Sequence, residues 1–365
     1  MADEEFATLD EIVDRAREKL GPAVWDFLEG GAGDEDTLVA NRAAFRRWTF
    51  RPKVFSGVTP PDTTTEFLGL HLTMPIVTAP FAGDMLYSED DHEGFAAVVR
   101  ACADMGTIAI VPESTADSLE GLAAKAPAAA RIFQLTPLGT DEDFVRLIRR
   151  AEAAAYAAIC VTADVPVVGI RRRNARNRFV ALGALALGNF APEFGIDPAR
   201  YFGHTHRLER PDWSWQHLAE VYAGAGVGIP FLVKGIMTAD DARAAINAGA
   251  SAVYVSNHGG RQLDGLPGTL DQLEEVAAEV QGDVPVVFDG GVSGGADVVK
   301  ALALGADVVA VGRAAAVGLV AGGQAGVQRV LEILRHELET TMVLLGRASI
   351  AALDRSIIQP TREPL

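Results

Sequence analysis

From residue 74 onward one unit recurs eight times: a short apolar run, a polar or glycine-bearing break, then an alanine-rich stretch with helical spacing. The runs are MPIVTAP (74–80), TIAIVP (107–112), RIFQLT (131–136), AAICVTA (157–163), PFLVKGI (230–236), SAVYVSN (251–257), PVVFDGG (285–291) and DVVAVGR (307–313). Each is partly β-branched and apolar on both faces, the pattern of a strand in a parallel sheet covered on both sides. Helical stretches such as DEDFVRLIRRAEAAA (141–155), TADDARAAINAGA (238–250) and GGADVVKALALGA (294–306) lie between them, with Asp or Thr near several starts and Gly at the ends. Eight strands alternating with helices predict an α/β fold, a (β/α)8 barrel. A doubly wound sheet is the competing arrangement. Eight units are many for it, and polar residues with chemical potential stand at the C-terminal end of nearly every run.

The 365 residues read as a single domain. Residues 1–73 are expected to form an N-terminal helical cap, with LDEIVDRAREKL and PAVWDFLEG as its helices, 74–350 the barrel, and 351–365 a tail whose end, QPTREPL, is expected to fray. The one long irregular stretch, 164–212, follows the fourth run and carries RRRNARNRF and then GNFAPEFGIDPARYFG. A loop of that length in a compact enzyme is usually functional or mobile.

Composition excludes several functions. With 32 basic and 49 acidic residues the net charge is −17, which argues against nucleic acid and anionic membrane as partners. An anionic substrate would need a local cationic pocket to overcome that field. Cys102 and Cys160 lie in apolar contexts without a CxxC or a His cluster, so both are expected to be small buried residues, and no metal is expected. The acidic, amphipathic N-terminus is unlike a secretory signal, and the most apolar stretch, 179–191, is too short to span a bilayer. A cytoplasmic protein is the expectation.

The sharpest motif is VSNHGGRQLDG (255–265), at the end of the sixth run. It resembles the active-site signature of the FMN-dependent α-hydroxy-acid oxidases and dehydrogenases, the family of glycolate, lactate and 4-hydroxymandelate oxidases. The resemblance extends from WDFLEGGAGDEDTLVANRAAF (25–45) through LVKGI (232–236) to FDGGV (288–292) and VGR (311–313). It implies FMN as cofactor and a small carboxylate as substrate. Residue chemistry agrees. Oxidising an α-hydroxy acid removes the hydroxyl proton and delivers the α-hydrogen, formally as hydride, to a flavin. His258 suits the base, since its pKa lies near working pH. Arg261, three residues on, offers a forked cation for a carboxylate.

The resemblance assigns further roles. Arg171 is the second substrate arginine, and Asp164 the carboxylate that orients His258. Lys234, in an otherwise apolar run, supports the reduced flavin. Gln134, Thr162 and Ser256 match positions at the flavin ring, and Pro80, Phe81 and Ala82 would lie along one edge. The phosphate is expected at Asp289, Gly290, Gly291, Val292 and Ser293 and at Gly312 and Arg313, on the loops after runs seven and eight. Ala82 resembles the oxidase-type residue, which favours O2 as electron acceptor. Family members commonly form tetramers, so a homo-oligomer is implied.

Four departures stand out. Phe27 occupies the place of a substrate-binding tyrosine, and Thr136 that of a second active-site tyrosine. Pro112 and Glu113 replace a Ser/Thr pair, so Pro112 has no hydroxyl for the flavin. Ser293 replaces a phosphate-binding arginine. Each lost tyrosine hydroxyl is worth about 1 kcal/mol or more. The substrate is therefore expected not to be a plain small hydroxy acid, with Glu113 on the rim meeting a larger or partly cationic one. Oxidative decarboxylation, a redox-neutral FMN reaction on the same barrel, and a non-catalytic flavin-binding relative remain open alternatives.

Overall fold

The computed structural model describes residues 6–58, 60–87, 93–179, 188–202 and 213–361. Eight strands close into a parallel barrel: β1 (Ile76–Thr78), β2 (Ala109–Pro112), β3 (Arg131–Leu135), β4 (Ala158–Thr162), β5 (Phe231–Ile236), β6 (Ala252–Val255), β7 (Val286–Phe288) and β8 (Val308–Val311). Every one lies within a run picked out by its apolar pattern. Closure comes from β8 pairing with β1, which excludes the doubly wound sheet.

Two apolar layers result from the strand alternation. Val77, Ile110, Ile132, Cys160, Leu232, Tyr254, Val287 and Ala310 fill the barrel interior. The outward residues, such as Val111, Phe133, Ile159, Val233 and Phe288, pack against the surrounding helices. Those helices are well capped. Thr140 and Asp143 form a capping box at the start of Asp141–Ala153, and Thr238 accepts from Asp241 N ahead of Ala239–Asn247. Both cysteines are free and buried, and burial pushes each thiol up to about 12.

The N-terminal region holds three helices, Leu9–Lys19, Pro22–Glu29 and Asp36–Arg46. The tail differs from the fraying expected of it. Ile358–Pro360 pairs antiparallel with Trp48–Phe50, because an isolated edge of three residues finds its backbone partners there; residues 362–365 lie outside the described ones. The stretch after β4 contains short helices, Arg172–Asn177 and Pro198–Phe202, and two 3-10 turns, Gly188–Phe190 and Pro192–Phe194. Its residues 180–187 and 203–212 are outside the described part. No described helix is long and apolar enough to cross a membrane.

Candidate active site

The site follows from the barrel's period of two. Two residues beyond the last interior apolar side chain on strands β2 to β8 stand Pro112, Gln134, Thr162, Lys234, Ser256, Asp289 and Gly312, one layer higher, at the C-terminal mouth. Pairing confirms the level: Pro112 registers with Gln134, and Thr162 with Lys234. Gln134, Thr162, Lys234, Ser256 and Asp289 are all buried. Gln134 Nε2 donates to Thr162 Oγ1 at 2.9 Å and to Thr136 Oγ1 at 3.2 Å. Among the described residues the Lys234 ammonium has no carboxylate partner, and it sits 5.6 Å over the Tyr254 ring.

His258 is held by its backbone as much as by its side chain. Residues 258–260 all have positive φ, at 59°, 63° and 74°. For histidine that conformation is strained. The turn is pinned by Ser256 Oγ, which accepts from His258 N at 3.1 Å, and by Asn257 Oδ1, which accepts from Gly260 N at 3.1 Å. A side chain at Gly260 would meet the Leu38 backbone at 2.7 Å, so only glycine lets this turn close on the cap. Below it, Asn41 and Asn257 exchange two amide hydrogen bonds, at 2.9 and 2.7 Å.

The His258 Nδ1 lies 3.2 Å from Asp164 Oδ1. Gly235, at a bulge in β5 and with φ of 107°, makes room for that carboxylate; a Cβ there would lie 2.6 Å from the Asp164 Cβ. Gln262 staples the two loops together, donating to Asp164 O and Val167 O at 2.9 Å each. Burial opposes ionisation of Asp164, yet the His258 and Lys234 charges outweigh it and hold the carboxyl below its ordinary range. Burial and then Lys234 push the His258 pKa down against the pull of Asp164. The imidazole is therefore neutral at neutral pH and able to accept a proton.

Three arginines converge beside it. Arg261 and Arg313 share the carbonyls of Leu28 and Gly30, with distances of 2.8–3.3 Å, and Arg313 also donates to Gly259 O at 3.0 Å. Arg171 and Arg261 lie 5.6 and 5.2 Å over the Phe27 ring. None of the three pairs with a carboxylate among the described residues. Burial, and then mutual repulsion, lowers the Arg261 pKa well below its usual value; burial first, with the Arg313 charge adding to it, brings Arg171 down to about 10. Buried cations without counter-charge are costly, and an anionic ligand relieves the cost.

The loops after β7 and β8 are less uniform. Gly290 and Gly291 adopt positive φ and lie against Thr269 and Asn41. Asp289 Oδ2 accepts from Tyr254 at 2.9 Å. Ser293 is exposed, and its N and Oγ both donate to Asp297, at 3.0 and 3.2 Å, a carboxylate already paired with Arg42 at 2.5 Å. Val292 is half-buried on the same loop. Arg171 Nε and the Oδ1 of Asp289 are buried without a hydrogen-bond partner among the described residues. A polar ring at the barrel mouth, orphaned polar atoms and uncompensated cations suit a flat, anionic cofactor such as FMN.

Over β1 to β3 the polar groups are spent internally. Glu113 is buried rather than on the rim. Its Oε2 accepts from Thr136 N at 3.2 Å and from the Tyr201 hydroxyl at 2.7 Å, and its backbone carbonyl accepts from Asn189 at 2.9 Å. The expectation that Glu113 meets substrate is corrected accordingly: its charge ties the post-β4 stretch to the barrel. Pro80, Phe81 and Ala82 are half-buried just beyond β1, with the Phe81 ring 5.0 Å from Phe95. The positioning groups Asn41, Asn189, Tyr201 and Gln262 went unassigned in the sequence. Gln262 sits inside the quoted motif and was findable; the others stand in elements without a local signal.

The FMN-dependent dehydrogenase family model matches residues 16–360. Glycolate oxidase from Spinacia oleracea is 41% identical over 360 residues, covering 97% of this chain and 96% of that one. The 2-hydroxyacid oxidase 1 of Homo sapiens is 37% identical over 359 residues, covering 96% of each. Among solved structures, mandelate oxidase superposes with a TM-score of 0.87 at 36% identity, covering 98% of both chains. With the barrel, its polar mouth and near full-length matches in agreement, the chain belongs to the FMN-dependent dehydrogenase family, as an FMN-dependent α-hydroxy-acid oxidoreductase.

Proposed function

We propose that the chain oxidises an α-hydroxy acid, or a related α-substituted acid, to the keto acid, with His258 as the base. The observation that carries this reading is the neutral, Asp164-paired imidazole standing beside half-buried arginines that pair with no carboxylate among the described residues. Arg261 and Arg171 anchor the substrate carboxylate by forked hydrogen bonds. His258 takes the hydroxyl proton on Nε2. Asp164 fixes the tautomer through Nδ1 and stabilises the imidazolium that forms. Bound FMN would supply the two-electron acceptor. Gln134, Thr162, Lys234 and Ser256, with Pro80, Phe81, Ala82, Pro112 and Thr136 at the edge, would line its ring. Residues 289–293 with Gly312 and Arg313 would hold its phosphate.

Phe27 and Phe179, with ring centroids 5.5 Å apart, add an apolar wall next to the arginines. This supports a substrate with an apolar side chain over a glycolate-sized one. The oxidases among the relatives support O2 as acceptor. A homo-oligomer, a tetramer by resemblance, is supported by exposed Val54 and Phe55, which neighbour Ser56 where it packs on Gly346, close to exposed Leu344.

The test is anaerobic reduction of the FMN-loaded protein by a panel of hydroxy acids with small, aliphatic and aromatic side chains. Bleaching of the visible flavin band by one acid, lost in His258→Ala, and re-oxidation by air are expected. Absence of bleaching by every acid, with FMN bound, would sink the reading.

A further inference from the structure

Phe27 carries no hydroxyl, and the Thr136 hydroxyl is engaged by Gln134. A different phenol stands close by. Tyr87 ends the one-turn helix Asp84–Tyr87 just beyond β1 and is 4% exposed. Its ring packs on Phe81, with centroids 6.0 Å apart. A Cβ placed on Gly83 would lie 3.4 Å from Phe27 Cε1 and 3.5 Å from Tyr87 Cε2. The hydroxyl-bearing end of Tyr87 and the outer edge of Phe27 therefore border the same gap. Phe27 is the ring over which both Arg171 and Arg261 stand.

The electrostatics place the phenol in the same cluster. Burial pushes its pKa up to about 12, and the charges that oppose this most are Arg261, Arg171 and Arg313, in that order. It is thus a neutral O–H donor at working pH. Among the described residues its hydroxyl has no hydrogen-bond partner. An anion held by the neighbouring arginines would give it an acceptor.

We propose that Tyr87 donates the phenolic hydrogen bond to the substrate carboxylate held by Arg171 and Arg261, taking over from the hydroxyl that Phe27 lacks. The proposal rests on the carboxylate reading of the arginine cluster. It makes Tyr87 a substrate-binding residue delivered from β1 instead of from the cap.

The test uses the FMN-loaded enzyme and oxalate, a non-reacting dicarboxylate, with binding read from the perturbed flavin spectrum. Tyr87→Phe is expected to weaken oxalate about tenfold, the worth of one hydrogen bond to a charged group. KM should rise more than kcat falls, and the unfolding temperature should hold. Adding Phe27→Tyr should recover part of the loss, since both hydroxyls would reach one anion. Unchanged oxalate affinity in Tyr87→Phe overturns the proposal. So does a loss that Phe27→Tyr leaves unrecovered, which marks a structural role. Oxalate that ignores Arg261→Lys, or fails to bind the parent, overturns the carboxylate reading and the proposal with it.

Discussion

The rim over β4 to β6 and the rim over β1 to β3 use their polar groups in opposite ways. Over β4 to β6, Asp164, Lys234, His258 and Arg261 keep donors, charges and a neutral imidazole available at the barrel mouth. Over β1 to β3, Glu113, Thr136 and Gln134 satisfy one another, Tyr201 and Thr162. A buried carboxylate is stable only with full hydrogen bonding, so Glu113 is withdrawn from ligand chemistry once Tyr201 and Thr136 N bind it. The difference separates two tasks. On the proposed function, proton transfer belongs to the first half, while the docking of the post-β4 stretch belongs to the second. Variants on the two halves should then fail differently.

The largest effect is expected at His258. His258→Gln should slow anaerobic flavin reduction about 10⁴-fold, the upper range for a general base, while oxalate affinity changes little. Asp164→Asn should cost about a hundredfold. The pH dependence sharpens the assignment. With His258 as the proposed base, activity requires it neutral, so kcat/KM should rise with pH through a limb below the ordinary histidine value. Lys234 pushes that pKa down and Asp164 pulls it up, so Lys234→Met should shift the limb upward and Asp164→Asn downward. A limb that ignores both substitutions would remove His258 as the base.

On the other half, Tyr201→Phe should cost about 2 kcal/mol of stability by leaving Glu113 one donor short. Thermal unfolding measures this, with flavin reduction slowed only a few-fold; a rate loss as large as that of Asp164→Asn would erase the contrast. The smallest effect is expected at the phosphate loop. Ser293→Arg should tighten FMN about tenfold by adding a charge-assisted hydrogen bond, read as a dissociation constant by fluorescence. An unchanged constant would mean that Asp297, which already draws Arg42, captures the new side chain as well.

The barrel was legible because strand alternation and helix periodicity are local. Each apolar run needed only its own residues to announce a buried strand, and the same alternation set Gln134, Thr162, Lys234 and Ser256 one layer above the apolar interior. His258 and Arg261 were legible because both lie in one short loop. Phe27 and Arg171 were named from the chain as well, but their stacking was not, since the cap and the post-β4 loop are about 140 residues apart in sequence. Glu113 was misplaced for the same reason. As a charged residue after a strand it reads as exposed rim, and only Tyr201, 88 residues further on, turns it inward.

By itself, then, the amino-acid order determined the eight strand–helix units, the parallel barrel and the place of the His258–Arg261 loop at the end of its sixth strand, because these rest on patterns within a few residues. Tertiary structure alone decided which arginines lack counter-charge, that the tail is tied to the cap, that Glu113 is buried, and that Tyr87 comes to the edge of Phe27. Those outcomes depend on desolvation and on partners distant in the chain, and neither quantity exists until the barrel has closed.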